Sequence, residues 1–351
     1  MRRASNETNH CNGDTAMNAS IFSKVSATTL ALCLGASAAF AADMPGVTLQ
    51  AVAGSVGGVP LMIMKGEGLD KKYGFDGKFE FLPHEGVFQN FLIGKSDIAM
   101  DNDILGVAIA RDEGFDVTAF YPVGNLYLGI VVPGGSEAKT PEDLKGKKVG
   151  HFGADSGTTT FIRTIVQEMY GFDVLEEYEF SQVGPAALVP LLKSGEVEAI
   201  FDFESFVSEA IVATDGHYLL QAHKDYSEFT GGFAPWITNM VAHGDWLKEN
   251  PELAYAVRDA YDEAIEILES TDYEVLRKDY ILEGLGITSE AVLDVLIENA
   301  KSTPYFTNDW SPEKIAAAEA FLEKLSKDGL LIENVPDGVM VTLEDYVGPR
   351  S

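Results

Sequence analysis

The sequence is poor in cysteine and in basic residues, and it has no long apolar run after residue 41. Its two cysteines, Cys11 and Cys33, exclude a disulfide-rich scaffold and a cysteine-based zinc site. Twenty-five Lys and Arg stand against 55 Asp and Glu, a formal net charge of -30. Nucleic acid is not an expected partner, because phosphate binding needs clustered cations and no basic run is present.

Several catalytic and metal-binding motifs are also missing. The chain has no HExxH pattern and no P-loop ending in Gly-Lys-Ser/Thr. None of its histidines after residue 41 forms a close metal-ligand pair, so we expect no metal and no cofactor. No nucleophile is accompanied by an activating base, and we therefore expect a protein that is not an enzyme.

Residues 1–41 are predicted to be a targeting segment. Met17 is the expected start, Lys24 supplies a positive charge, and residues 27–38 are small and apolar. Ala39-Phe40-Ala41 then forms a small-x-small cleavage signal. The apolar stretch is short for a membrane span, although a retained anchor is the alternative. Cleavage would export the protein and remove both cysteines, so that burial alone would stabilise the mature chain.

Short β-rich runs alternate with helical runs through the first two thirds of the remaining chain. Residues 47–52 are typical of a strand, and a turn and a helix over 60–68 follow. The pattern pauses after a β run over 126–132, at Pro133-Gly134-Gly135, and then begins again. Alternation of this kind predicts an α/β protein with mostly parallel sheets flanked by helices. After Gly231 a β run over 236–242 leads into helices, which predicts a helical C-terminal tail.

The carboxyl ends of the strands are the expected places for a ligand in such a sheet. The segment Asp155–Thr160 joins a strand to a helix and offers hydroxyl groups and a positive helix end. Ser156, Thr158 and Thr159 are therefore candidates for the anionic end of a ligand. Ordinary helix capping explains the same residues slightly better when this segment is taken alone.

Acidic residues follow two other predicted strands. Asp101 and Asn102 lie in Asp101-Asn102-Asp103, and Glu204 lies in Asp202-Phe203-Glu204. These side chains could hold an amine, an amidine or an aminopyrimidine by charge-assisted hydrogen bonds. A helix cap at Asp103, an ion pair in a hinge at Glu204, or a pair of catalytic acids are the alternatives.

Four further residues complete the predicted site. Ser55 lies in the turn after the first strand, and His84 lies in the turn Pro83–Gly86. Phe203 and Trp236 are expected to supply flat walls, within a wider set of aromatic residues, most of which are core. The other members of this set are Phe88, Tyr127, Phe206 and Phe233.

Taken with the predicted export, these features resemble the periplasmic solute-binding proteins of ABC importers. The resemblance is to the branch that binds nitrate, sulfonates, taurine and thiamine precursors, and it extends over residues 47–345. One departure is Phe203-Glu204-Ser205-Phe206, where that branch often has Trp-Asp-Pro-Tyr. The segments that carry the resemblance are PLMIMKGEGL (60–69), GKSDIA (94–99), TPEDLKGKKVG (140–150), SGTTT (156–160) and GEVEA (195–199).

The resemblance implies a two-lobed type II periplasmic binding protein fold. Lobe 1 would comprise residues 44–132 and 233–351, and lobe 2 residues 135–230. A small polar solute, either sulfonate- or taurine-like or aminopyrimidine-like, would bind between the lobes, and hinge closure would present it to membrane permease and ATPase subunits. We expect a periplasmic monomer. A sensory partner of a receptor and an enzyme on the same fold are the alternative functions.

Overall fold

A computed structural model describes residues 44–350. The predicted signal peptide and its cleavage site lie outside the described residues. Within them, no helix is both long enough and apolar enough to cross a membrane.

The first sheet contains five strands in the order β2-β1-β3-β10-β4. Four of them run in one direction, and β10 runs antiparallel to both of its neighbours, β3 and β4. The strand β4 lies at the edge of this sheet, and eight of its nine residues are nevertheless buried. The strands are β1 (Gly46–Val52), β2 (Asp76–Leu82), β3 (Ile98–Asn102), β4 (Val117–Asn125) and β10 (Trp236–His243).

The second sheet repeats this arrangement in the order β7-β6-β8-β5-β9. Its single antiparallel strand, β5, is again the fourth in the order. In both sheets the antiparallel strand is the one that enters from the other sheet, β5 after β4 and β10 after β9. The strands are β5 (Leu128–Val132), β6 (Lys148–His151), β7 (Glu179–Gln182), β8 (Ala199–Phe203) and β9 (His217–Gln221).

Helices connect the strands and cover the sheets. The predicted caps hold, since Asp103 caps α4 and Ser156 caps α5 through their side-chain oxygens. The helices are α1 (Val59–Gly66), α2 (Leu69–Lys72), α3 (His84–Leu92), α4 (Ile104–Asp112), α5 (Gly157–Tyr170), α6 (Val174–Glu177), α7 (Pro185–Ser194), α8 (Phe206–Thr214), α9 (Ala222–Thr230), α10 (Gly244–Glu249), α11 (Pro251–Ser270), α12 (Asp279–Leu285), α13 (Glu290–Ser302), α14 (Pro312–Lys327) and α15 (Leu343–Tyr346).

The predicted α/β class with mostly parallel sheets and a helical C-terminal part is confirmed. Several short elements were not predicted. They are the strand β9 and the helix α9, which fill the stretch before Gly231, and the helices α2, α6, α10, α12 and α15. The expected lobe boundary at residue 132 falls at the end of β5, which pairs with β8 and β9 in the second sheet. The chain therefore crosses between the sheets before Leu128.

The helix α14 connects the two sheets. The flanking residues Phe306 and Met340 form bridges to β4 of the first sheet. Between them, the Phe321 ring stacks on Phe161 of α5 with 6.0 Å between ring centroids, and it contacts Tyr226 of α9. Phe321 is buried, and removing such a ring typically costs about 3–5 kcal/mol. The contact therefore contributes substantially to holding α14 on the second sheet.

Candidate functional site

A small cavity lies where the carboxyl ends of β1, β3 and β8 approach the first turn of α5. Its volume is about 50 Å³ for the centre of a water-sized sphere, enough for roughly three to five water molecules at ~10–15 Å³ each. Strand ends and a helix N-terminus meeting in this way are where open α/β sheets bind ligands. The cavity is lined by Val52, Ser55, His84, Asp101, Asp103, Tyr127, Gly157, Thr158, Phe203, Ile237 and Thr238.

Asp101 is held rigidly in this cavity. Its Oδ2 accepts a hydrogen bond from the Val52 N–H (3.0 Å), and its Oδ1 accepts one from the Tyr127 hydroxyl (3.1 Å). Burial raises the pKa of Asp101, while these hydrogen bonds and the imidazole of His84 oppose the rise. The two hydrogen bonds orient the carboxyl group, whose oxygens can accept further hydrogen bonds from a solute.

Asp103 is the second acid in the cavity. Its Oδ1 caps α4 by accepting a hydrogen bond from the Gly106 N–H (2.8 Å), and its Oδ2 lies against Gly157, the first residue of α5. Burial raises the pKa of Asp103, and backbone N–H groups and His84 oppose the rise. One carboxylate thus faces the N-termini of two helices, one beside each sheet.

Two glycines allow these close approaches. A Cβ at Gly57 would overlap Asp101 Oδ1 and the Tyr127 hydroxyl, and a Cβ at Gly157 would overlap Asp103 Oδ2. Neither position has a positive φ, so the requirement comes from space rather than from backbone conformation.

Ser55 and Tyr127 complete the polar wall beside Asp101. Ser55 is buried, and its hydroxyl accepts a hydrogen bond from the Gly57 N–H (3.1 Å). The Tyr127 hydroxyl also lies 3.3 Å from the Thr238 hydroxyl. Burial first, and then the charge of Asp101, raises the pKa of Tyr127 well above its ordinary value. Tyr127 therefore stays protonated and remains a hydrogen-bond donor.

An aromatic wall faces the acids. The His84 ring meets the Phe152 ring edge-on at 5.2 Å and lies nearly parallel to the Phe203 ring at 6.3 Å. Phe203 in turn contacts Phe152 (5.5 Å) and Phe206 (5.4 Å). His84 begins α3 beside the first sheet, whereas Phe152 follows β6 and Phe203 ends β8, both strands of the second sheet. The wall is therefore built from both sheets.

The start of α5 contributes less than its sequence suggests. Thr158 lines the cavity, as predicted. The Ser156 hydroxyl accepts a hydrogen bond from the Thr159 N–H (3.2 Å) and donates one to the Gly153 carbonyl (2.9 Å). The Thr159 hydroxyl lies 3.0 Å from Ser156 Oγ, and Thr159 is fully buried. Ser156 and Thr159 therefore take part in capping α5, which is the alternative role expected for them from the sequence. Neither residue lines the cavity.

Glu204 lies outside the cavity lining, although it was predicted as a ligand-binding acid. It is fully buried, and its Oε2 accepts hydrogen bonds from the N–H (3.1 Å) and the hydroxyl (2.7 Å) of Ser208. Its Oε1 accepts from Tyr218 (2.9 Å), Asn299 (3.0 Å) and Tyr305 (2.8 Å). This arrangement is close to the hinge alternative, with hydroxyl and amide donors in place of a cation.

Asn102 and Trp236 also lie outside the cavity lining. Asn102 is buried, and its carbonyl accepts a hydrogen bond from the Asn239 amide (3.2 Å). The Trp236 ring packs on Trp310 with 4.7 Å between centroids, while the next two residues, Ile237 and Thr238, reach the cavity.

The alternation of side chains along a strand explains why Asp101 lines the cavity and its neighbour Asn102 does not. Successive residues point to opposite faces, so Asp101 and Asp103 share a face while Asn102 points away. Phe203 and Glu204 separate in the same manner. If this two-residue alternation is applied to Asp101-Asn102-Asp103, it predicts that Asp103, and not Asn102, lines the cavity together with Asp101.

The lining combines two carboxylates, an imidazole, hydroxyl groups and apolar walls, and it contains no lysine or arginine. Within residues 44–350, no group of three or more His, Cys, Asp or Glu side chains is arranged to hold a metal ion. Such a lining is suited to a solute with N–H groups and a flat or apolar part.

Comparison with solved structures places this architecture among known folds. The periplasmic aliphatic sulphonate binding protein SsuA from Escherichia coli superposes with a TM-score of 0.64 at 17% identity, covering 86% of this chain and 97% of that chain. The alkanesulfonate-binding protein SsuA from Xanthomonas axonopodis pv. citri, bound to MOPS, gives 0.66 at 16% identity, covering 85% and 98%. The desulfurization enzyme DSZB gives 0.59 at 13% identity, covering 86% and 99%.

The chain therefore has the type II periplasmic binding protein fold, a fold that both binding proteins and an enzyme share. The sequence model of the family described as NMT1/THI5 like matches residues 82–270. This range is more than half of the chain, so the chain belongs to the NMT1/THI5-like family. A comparison with curated proteins found no match.

Proposed function

We propose that this chain is a periplasmic solute-binding protein that captures a small nitrogen-containing polar solute and delivers it to an ABC importer. The observation that supports this ligand class is the presence of Asp101 and Asp103 in a cavity without a lysine or arginine. Hydrogen bonds to an ionised carboxylate are about twice as strong as those between neutral groups. A primary amine or an aminopyrimidine supplies the N–H groups that these acids accept.

The aromatic wall favours a flat solute within this class. Phe203 and His84 present nearly parallel rings, and flat heterocycles stack on such faces. An aminopyrimidine would place its ring against this wall and its amino group towards the acids. A sulfonate or a nitrate would bring negative charge to a cavity that already holds two acids, and it is therefore the less favoured ligand.

Capture would proceed by closure of two lobes. Lobe 1 would be the first sheet with its helices, approximately residues 44–132 plus 233–351. Lobe 2 would be the second sheet with its helices, approximately residues 135–230, together with β5 and with α14, which packs on α5 and α9. The cavity takes residues from both sheets, so closure would complete it and opening would release the solute. The protein would act as a monomer, and the closed form would dock on the permease.

A thermal-shift panel tests the ligand class directly. The solutes are ethylamine, cytosine, taurine, ethanesulfonate and nitrate, each added in excess to the mature protein. We expect cytosine or ethylamine to raise the melting temperature and the two pure anions to leave it unchanged. Stabilisation by nitrate and ethanesulfonate alone would overturn the proposed ligand class.

Two further measurements separate the alternative functions. Mass spectrometry of the solute after incubation should return it unchanged, whereas turnover would show an enzyme. Uptake of the same labelled solute by cells with and without the gene should differ if the partner is an importer. Unchanged uptake together with a lost response to the solute would indicate a sensory partner instead.

A further inference from the structure

The position of Asp103 relative to α5 carries an inference about selectivity. The N–H groups of the first turn of a helix have no partner within the helix, and the helix dipole adds positive potential there. Such a helix start ordinarily suits an oxyanion. In this cavity α5 has fourteen residues, and its first two, Gly157 and Thr158, both line the cavity.

That anion position is already taken by the protein itself. Asp103 Oδ2 lies where a Cβ of Gly157 would lie, directly against the start of α5. The carboxylate cannot easily turn away, because its Oδ1 is held by the Gly106 N–H at 2.8 Å. A sulfonate or nitrate approaching the N-terminus of α5 would have to lie next to this carboxylate.

We propose that Asp103 is a specificity-determining residue that excludes oxyanions by occupying the N-terminus of α5 with the protein's own carboxylate. Like charges placed side by side in a site out of bulk water repel strongly, which makes such a group an effective means of rejecting a class of ligands. The same carboxylate accepts hydrogen bonds from N–H groups, so it selects for amino solutes while it rejects anions. This inference rests on the proposed solute-binding function and deepens it.

The test compares ethanesulfonate binding by the wild type and by Asp103→Asn in isothermal titration. Asparagine has the same shape and keeps an oxygen that can cap α4. We expect Asp103→Asn to bind ethanesulfonate at least about tenfold more tightly than the wild type, since ~1.4 kcal/mol of relieved repulsion is a factor of ten. A folded Asp103→Asn protein without this gain would overturn the proposal.

Matched variants separate this effect from a general loss of negative charge. Asp155→Asn removes the same charge from an exposed side chain two residues before α5, outside the cavity lining. It should leave ethanesulfonate binding as weak as in the wild type, and an equal gain would overturn the role of Asp103. Should Asp103→Asn fail to fold, Asp103→Ser keeps a capping oxygen and makes the same prediction.

The result for Asp103→Asn can be interpreted separately from the test of the proposed function. If the wild type binds neither cytosine nor ethylamine, the proposed ligand class fails, whatever Asp103→Asn does with ethanesulfonate. If the wild type binds an amino solute and Asp103→Asn gains no ethanesulfonate binding, the ligand class stands and the role of Asp103 is wrong.

Discussion

The Tyr305 hydroxyl donates a 2.8 Å hydrogen bond to Oε1 of Glu204, which joins the segment after α13 to the end of β8. Burial first, and then the charge of Glu204, raises the pKa of Tyr305 and of Tyr218 well above the ordinary value. Both hydroxyls therefore stay protonated and keep donating. The five hydrogen bonds to Glu204 come from α8, β9, α13 and Tyr305, so this carboxylate stabilises the region where the sheets and the C-terminal helices meet.

Glu204→Gln should destabilise the fold without a direct effect on the ligand. The glutamine side chain would point its own N–H groups at the hydroxyl and N–H donors that surround Glu204. Buried polar groups would then lack hydrogen-bond partners, and each such group costs about 1–3 kcal/mol of stability. We expect a clear fall in the melting temperature, measured by circular dichroism. Glu209→Gln is the control, because Glu209 lies in α8 with an exposed side chain. A Glu204→Gln protein as stable as this control would contradict the structural role of Glu204.

Asp101→Asn should weaken binding of an amino solute such as cytosine. The variant keeps an oxygen that can accept from Val52 or Tyr127 but removes the charge, and a hydrogen bond to a charged group contributes about 1.5–3 kcal/mol. We expect a loss of about tenfold or more in affinity by isothermal titration, with a melting temperature close to that of the wild type. Unchanged cytosine affinity would show that Asp101 serves only to hold Val52 and Tyr127.

Gly157→Ala should impair closure of the cavity. The added methyl group would overlap Asp103 Oδ2, so the start of α5 must move away from the first sheet. Alanine itself suits a helix and stabilises one by about 0.5–1 kcal/mol relative to glycine. We therefore expect reduced cytosine affinity and a slightly larger radius of gyration by X-ray scattering, without a loss of helix content.

The control for this variant is Gly135→Ala. Gly135 has open space around its Cβ position and no positive φ, so an added methyl group meets nothing. If both variants bind cytosine like the wild type, the contact between Asp103 and Gly157 does not limit closure.

His223 should make the folded state sensitive to acid. Burial first, and then the charge of Lys314, lowers the pKa of His223 from 6.5 to about 4, and Nδ1 is buried without a hydrogen-bond partner among residues 44–350. Between these two pH values the unfolded chain binds a proton that the folded chain does not, so stability falls as the pH falls from about 6.5 to about 4. Each unit of pKa difference corresponds to about 1.4 kcal/mol.

Buried acids act in the opposite direction, so the measurement must isolate His223. Burial raises the pKa of Asp101, Asp103 and Asp202, and these groups favour the folded state as the pH falls. Urea unfolding at several pH values should show that His223→Asn loses less stability on acidification than the wild type. His217→Asn, at an exposed position, should follow the wild type. Parallel curves for all three proteins would show that His223 carries no such effect.

The architecture was largely predictable, because alternating β-rich and helical runs leave few arrangements for a parallel sheet. The strand-end rule also led to Ser55, Asp101, Thr158 and Phe203, and these residues line the cavity together with His84. The elements missed are short, and in two of them, β9 and α9, residues exposed in part or in full interrupt the apolar pattern.

The precise direction of side chains was the harder part. Glu204 and Asn102 each neighbour a cavity residue in sequence, yet both point to the opposite face. Asp103 could be read from the sequence as a helix cap, and it is one. Its second role depends on the approach of Gly157, which is 54 positions away in the chain and leaves no local signal in the sequence.

Under the proposed two-lobe closure, the placement of α14 would limit how the molecule can open. A rotation about the two segments between the sheets alone would pull Phe321 from its aromatic neighbours, because the chain on either side of α14 is bridged to β4 at Phe306 and Met340. Opening would cost less free energy if α14 moved together with α5 and α9 while the stretches 307–311 and 328–338 bent. Release of a solute would then loosen both flanks of α14 as well as the two segments between the sheets, and faster amide exchange in the two flanks would mark the opened form.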